Sequence, residues 1–318
     1  MDKIERYLLA TIHFYDLFNF PLTWWECCQW LYLDDQNQES LLDIDIPVIR
    51  DRLELLVANG QLIVVNGFYC LSGRESLALL RQRRYLYAEL KFQIGIRAIK
   101  LLRILPFIKF IGICNTLAYS NASDDADIDL LVITTKNKLW TARFFATTLM
   151  KLLHWRPTKQ NKKNKICLSF FISEHLLNIN NLQFSPQDVY LQYWVKQVVP
   201  IYDQGGFYDL WWQSNQWASS YLPRVLPFDM NQVRRVNDRR CLLILKQVGE
   251  SILVSAWVEK LFHKIQLKIM PPELLIMANQ DTRIVLSDQA LKFHDHDRRQ
   301  KIAQQFQERL AGLTQRYD

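Results

Sequence analysis

The chain has 318 residues and a mass of 37.8 kDa, 49% hydrophobic and 22% charged, which suits two or three packed domains and excludes a disordered chain. Nine glycines and ten prolines exclude a collagen-like or linker-dominated protein. The net charge of +7 is unevenly divided: residues 1–75 carry five basic and twelve acidic side chains (−7), the remainder 34 and 20 (+14), so a nucleic acid or other phosphate-rich partner is expected to meet the part after residue 75. No charge-free apolar run reaches the roughly 18 residues of a membrane span. The nearest, Leu101–Tyr119, holds Arg103 and Lys109. The first residues lack the basic, apolar and small-residue zones of a signal peptide. The six cysteines form no C-x-x-C pair and read as reduced thiols. These features point to a cytoplasmic protein with no zinc site and no membrane partner.

Residues 1–75 predict three helices and a hairpin. Leu8, Ile12 and Tyr15 give helical spacing over Ile4–Phe18, which Asn19-Phe20-Pro21 ends. Thr23 and Glu26 form a capping box for a second helix to about Leu33. A polar loop follows over Asp34–Ser40. Pro47 suits the first turn of a third helix, which Asn59-Gly60 stops after Ala58. Two short apolar runs then flank Asn66-Gly67, a hairpin signal. This order resembles a winged helix-turn-helix, which implies DNA contact through Arg50 and Arg52 of the third helix. Asp51, Glu54 and the acidic balance favour a protein-facing or packing role instead.

A basic helical stretch spans Arg74–Arg103, read as a solvated face or as a phosphate-facing one, and Pro106 ends it. Phe110–Cys114 then predicts a strand, Asn115-Thr116 a small-residue turn, Ser123–Ala126 an acidic loop, and Ile128–Thr134 a second strand. Asp127 and Asp129 are two apart, so a strand places both carboxylates on one face, where they can bridge a divalent cation such as Mg²⁺. Trp140, Phe144, Phe145 and Leu149 then mark a packed helix. Arg156–Lys165 is a basic loop, and Lys165–Ser173 a third strand.

The segment around residues 106–135, with a looser extension to about 175, resembles the nucleotidyltransferase superfamily of the polymerase-β type. The family pattern is an apolar strand, Gly-Ser, a short helix and D-x-D on the next strand. The resemblance implies an α/β (α+β) fold with a small mixed-sheet core, Mg²⁺ on Asp127 and Asp129, and transfer of a nucleoside monophosphate from an NTP to an unidentified acceptor. Asn115 and Thr116 would contact the triphosphate, with Lys138 and Arg143 offsetting its charge. Asn115 stands where the family has glycine, and it tolerates left-handed backbone better than most residues. The family's third carboxylate is missing from the third strand. Ser169 occupies the expected place, Glu174 lies just beyond, and Asp124 and Asp125 are the alternatives. The alternative function is a nucleotide sensor or a DNA- or protein-binding regulator on the same fold.

Beyond about residue 180 the strand signals fade. Helices are expected over Asp188–Val199, Phe207–Tyr221, Cys241–Ile269 and Arg298–Tyr317. His294–Asp297 reads as an acidic helix start rather than a metal site. The expected organisation is a winged-helix-like unit (1–75), a nucleotidyltransferase-like unit (76–180) and a helical C-terminal region (181–318).

Overall fold

The computed structural model describes residues 2–33, 44–186, 188–229 and 234–315. The loop expected over Asp34–Ser40 and the last residues of the final helix lie outside them. The architecture is mixed α/β, built on two open sheets.

The first unit runs α1 (Lys3–Asp16), β1 (Leu22–Thr23), α2 (Trp24–Gln29), α3 (Ile46–Ala58), β2 (Leu62–Val65) and β3 (Phe68–Leu71). Thr23 and Glu26 exchange the expected capping bonds at the start of α2. Asn66 and Gly67 both take positive φ, which turns β2 back onto β3. The two residues of β1 complete an antiparallel sheet ordered β1-β3-β2.

The centre alternates α4 (Leu77–Leu102), β4 (Ile108–Ile113), α5 (Asn115–Ala118), β5 (Ile128–Thr134), α6 (Leu139–Leu152) and β6 (Ile166–Ser173). Then follow α7 (Val189–Gln197), β7 (Val199–Asp203), α8 (Phe207–Ser214), α9 (Arg240–Ile252), α10 (Ala256–Ile269), α11 (Pro272–Met277), β8 (Ile284–Leu286), β9 (Ala290–Phe293) and α12 (Arg299–Gln315). The second sheet is ordered β7-β4-β5-β6-β9-β8. Among the described residues only β5 and β6 pair in parallel, with α6 as the crossover. The C-terminal region is therefore rich in helix but also supplies both edges of the central sheet.

Both faces of that sheet are covered, which is why β5 reads as an unbroken apolar run. Ile128, Leu130 and Val132 enter one core with Phe92, Ile99, Trp140 and Ala146. Leu131 and Ile133 enter another with Phe170, Trp194, Tyr208 and Trp211. A third core unites α1 with α7 and α12: Phe14 stacks on Tyr193 at 4.0 Å and meets Phe306 edge-on at 5.8 Å.

The basic residues of α4 join these parts. Arg81 donates to Glu26 at 2.6 Å, and Arg84 to Phe18 O at 3.0 Å and Asn121 at 2.7 Å. Lys91, 1% exposed, donates to the carbonyls of Asp124 (2.9 Å) and Ala126 (2.7 Å). The single helix expected over Cys241–Ile269 is instead two helices meeting at 87°. The break is held by Lys138, whose ammonium donates to the carbonyls of Leu253, Val254 and Ser255. No single helix among the described residues is long and apolar enough to cross a membrane.

Candidate functional site

The short helix α5 and the acidic loop after it return the chain from β4 to β5. Backbone bonds hold this junction: Cys114 N–H donates to Asp129 O at 3.1 Å, and Asn121 N–H to Thr116 O at 2.8 Å. Ile128 N–H reaches Lys165 O at 2.8 Å, which brings the start of β6 alongside. The parallel register then sets Asp129 opposite Cys167. Ligand atoms of Asp127, Asp129 and Cys167 all lie within 4.8 Å of one another, on half-buried residues.

The electrostatics of the cluster follow from crowding. Burial, followed by the charge of Asp127, raises the Asp129 carboxyl to about 6, against hydrogen bonds from Asn115 and Cys167. Burial also raises Asp127, opposed by its backbone hydrogen bond, Lys162, Cys167 and Lys91. The Cys167 thiol is pushed well up by burial and then by the two aspartates. It therefore stays protonated and serves as a hydrogen-bond donor to the carboxylates. Negative charge is held here against desolvation, and a bound cation relieves that cost.

Asn115 sits at φ +57°, the left-handed conformation. Its Oδ1 accepts from Trp194 Nε1 at 2.7 Å and its amide supports Asp129, so α7 helps to position the acid. Thr116 is the next residue of α5 and is half-buried.

Lys138 and Arg143 are not brought to the acids. Lys138 lies beyond the opposite end of β5, where its ammonium is committed to the three carbonyls of the α9–α10 joint. Arg143 donates to Gln266 at 2.7 Å and covers the Phe293 ring at 4.4 Å. Its pKa falls to about 9 through burial and then through the like charge of Arg156.

The cations that do reach the cluster are Lys91 of α4 and two from the basic loop: Arg156 interacts with Cys167 and Asp127, and Lys162 with Asp127. Arg156 Nη1 is buried with no hydrogen-bond partner. The charge of this loop is visible in the sequence, whereas its approach to the acids, in the place expected of Arg143, depends on the fold. The side chain beside the two acids is Cys167 rather than Ser169, because the parallel pairing of β5 with β6 sets Cys167 opposite Asp129. Ser169 is hydrogen-bonded to half-buried His294 at 3.0 Å. Glu174 accepts from Lys136 N–H at the far end of β5. Asp124 pairs with Lys163 at 2.7 Å, and Asp125 accepts from Ser123 at 2.6 Å.

Two concavities elsewhere, one lined by Arg283, Asp297 and Arg299 and one by Pro186, Trp217 and Tyr221, include none of the cluster residues. No family model matches the chain, and neither the curated proteins nor the solved structures provide a match.

Proposed function

We propose that the chain binds a nucleoside triphosphate with Mg²⁺ at the start of β5 and transfers the nucleoside monophosphate to an acceptor. The observation that carries this reading is the crowded Asp127–Asp129 pair, whose carboxylates share one side of a strand start with raised pKa values. Two carboxylates plus substrate phosphates suit a Mg²⁺ ion, which keeps most of its remaining ligands as water. The protonated Cys167 contributes no hard ligand and holds the carboxylates in place. The metal, when bound, supplies charge neutralisation at the phosphates.

The chain's own residues orient the reactants. Asn115 holds Asp129 in place, and Thr116 offers a hydroxyl to a phosphate. The unpaired N–H of Arg156, with Lys162 at the rim, offsets phosphate charge. The acceptor oxygen bonds to the α-phosphorus, the α,β-anhydride breaks, pyrophosphate leaves, and the acceptor's proton is lost to solvent. Rate comes mainly from positioning.

A second reading, a nucleotide sensor or regulator, is favoured by Cys167 standing where a third acid would serve. The order α1–β1–α2–α3–β2–β3 supports a winged-helix role in it, with α3 or the basic surface after residue 75 meeting nucleic acid.

Calorimetric titration of Mg²⁺ and each NTP is the test. Metal-dependent binding by the wild type and none by Asp127→Asn/Asp129→Asn is expected. Absence of binding by the wild type rejects the transferase and the nucleotide-sensor readings together. Binding without pyrophosphate release in the presence of candidate acceptors selects the sensor.

A further inference from the structure

Helix α9 is amphipathic with its polar side turned inward, and α10 packs Phe262 on Phe144 of α6 while two of its polar side chains bond to the same helix. On α9, buried Lys246 donates to Ile108 O, to Tyr202 Oη at 3.1 Å and to Gln204 Oε1 at 2.8 Å. One turn later Glu250 accepts from Phe107 N–H at 2.8 Å. On α10, Glu259 caps the start of α6 by accepting from Trp140 N–H (2.8 Å) and Thr141 N–H (3.0 Å), and Gln266 donates to Trp140 O at 2.7 Å. The apolar side of α9 faces outward as a consequence. Leu245, Val248 and Ile252 lie on one helical stripe and are 59%, 51% and 72% exposed. The elbow adds Val254 and Trp257, 65% and 67% exposed.

Exposed apolar side chains grouped in this way mark a contact site. The charge around it specifies the contact. The exposed charged residues of the two helices are Arg240, Lys260, Lys264 and Lys268, all cationic, while Glu250 and Glu259 are turned into the protein. The three lysines follow one another at four-residue spacing beside Trp257, and the next exposed acid is Glu273, on α11. Two copies meeting through this face would set like charges against each other. A nucleic acid would find aliphatic side chains along the α9 stripe, where it needs hydrogen-bonding or stacking groups, and a single exposed aromatic, Trp257, at the elbow.

We propose that the α9–α10 elbow lies on an anionic lipid bilayer. The apolar stripe and Trp257 enter the boundary between headgroups and acyl chains, and the lysines of α10 contact lipid phosphates. The two helices lie in the plane of the interface, a mode that requires no spanning segment.

The test is flotation of the full chain with phosphatidylcholine vesicles, with and without phosphatidylglycerol. The wild type is expected to float with the anionic vesicles and to be released by salt, with a blue shift in tryptophan emission that Trp257→Phe largely removes. Val248→Asp/Ile252→Asp abolishes flotation with an unchanged circular dichroism spectrum. Lys260→Gln/Lys264→Gln/Lys268→Gln weakens it by about a hundredfold, since each of the three cations near an anionic surface adds about 1 kcal/mol. A wild type that stays with the dense fraction overturns the proposal, as does flotation unaffected by either variant. A doubled mass in light scattering that Val248→Asp/Ile252→Asp removes, without flotation, assigns the face to a second copy and also overturns it. The outcome is independent of nucleotide binding, because the acid pair plays no part in the contact.

Discussion

Asn115 holds a backbone conformation that costs a non-glycine residue about 1–2 kcal/mol, and its bond to Trp194 offsets that cost. Asn115→Ala keeps the strain and loses the bond, so unfolding free energy should fall by about 2 kcal/mol. Asn115→Gly removes the strain and should lose less. Equal losses in urea titrations of the two variants would show that backbone conformation is not what selects this residue. His294 provides a second handle at the same scale. Burial, followed by the charge of Lys292, lowers its pKa to about 4, against about 6.5 in the unfolded chain. A depressed base contributes stability that is complete above pH 6.5 and is lost as pH falls toward 4, because the unfolded state then binds the extra proton. Between pH 7 and 5 the wild type should lose about 2 kcal/mol more than His294→Gln, read from denaturant midpoints. The acid pair and the left-handed tolerance of Asn115 were legible in the sequence because both are local: one follows the two-residue period of a strand, the other the side chain of a single residue. Cys167 was not, since its place beside Asp129 depends on the register between two strands separated by a whole crossover helix.

At the scale of elements, β4 shows how close the sheet packs to its neighbours. A Cβ on Gly112 would lie 2.6 Å from Val198 Cγ1 and 2.9 Å from the Phe110 ring. Gly112→Ala must push β7 or the ring aside, and a loss of about 1–3 kcal/mol in chemical denaturation is expected. An unchanged midpoint would show that the β4–β7 bulge absorbs the methyl group. The long apolar strands β4, β5 and β6 were legible from their runs. The short strands β7, β8 and β9 were not, being three to five residues long and stabilised by neighbours distant in sequence. The break between α9 and α10 was hidden for the same reason. The sequence Leu253–Ser255 contains no proline or glycine, and the break is held by Lys138, more than a hundred positions upstream.

Across the whole molecule, a buried ionic network secures the last helix. Arg299 donates to Asp188 at 2.7 Å and to Asp297 at 2.8 Å, and Lys292 reaches Asp297 at 3.2 Å, all four residues being largely buried. Removing one partner leaves a buried charge uncompensated, so Arg299→Met should cost about 3–5 kcal/mol. Asp188→Asn added to Arg299→Met should recover part of it, and a strictly additive double variant would show that the two do not interact. Asp16 extends the linkage by pairing with Arg74 at 2.9 Å and Arg309 at 2.8 Å. The first 75 residues looked like a separate unit from their charge and hairpin. Their core is completed by Tyr193, Leu222 and Phe306, so a fragment ending at residue 75 should lack the cooperative thermal transition of the full chain.

That shared core has a consequence for how the protein is made. Phe14 and Phe306 meet although they are 292 positions apart in the chain. At about 5–20 residues per second, translation leaves the amino-terminal helices without their carboxy-terminal cover for about 15–60 s. During that interval Phe14 and its aromatic neighbours are open to any hydrophobic surface nearby. The nascent chain, rather than the finished protein, is therefore where a chaperone would have the most to protect.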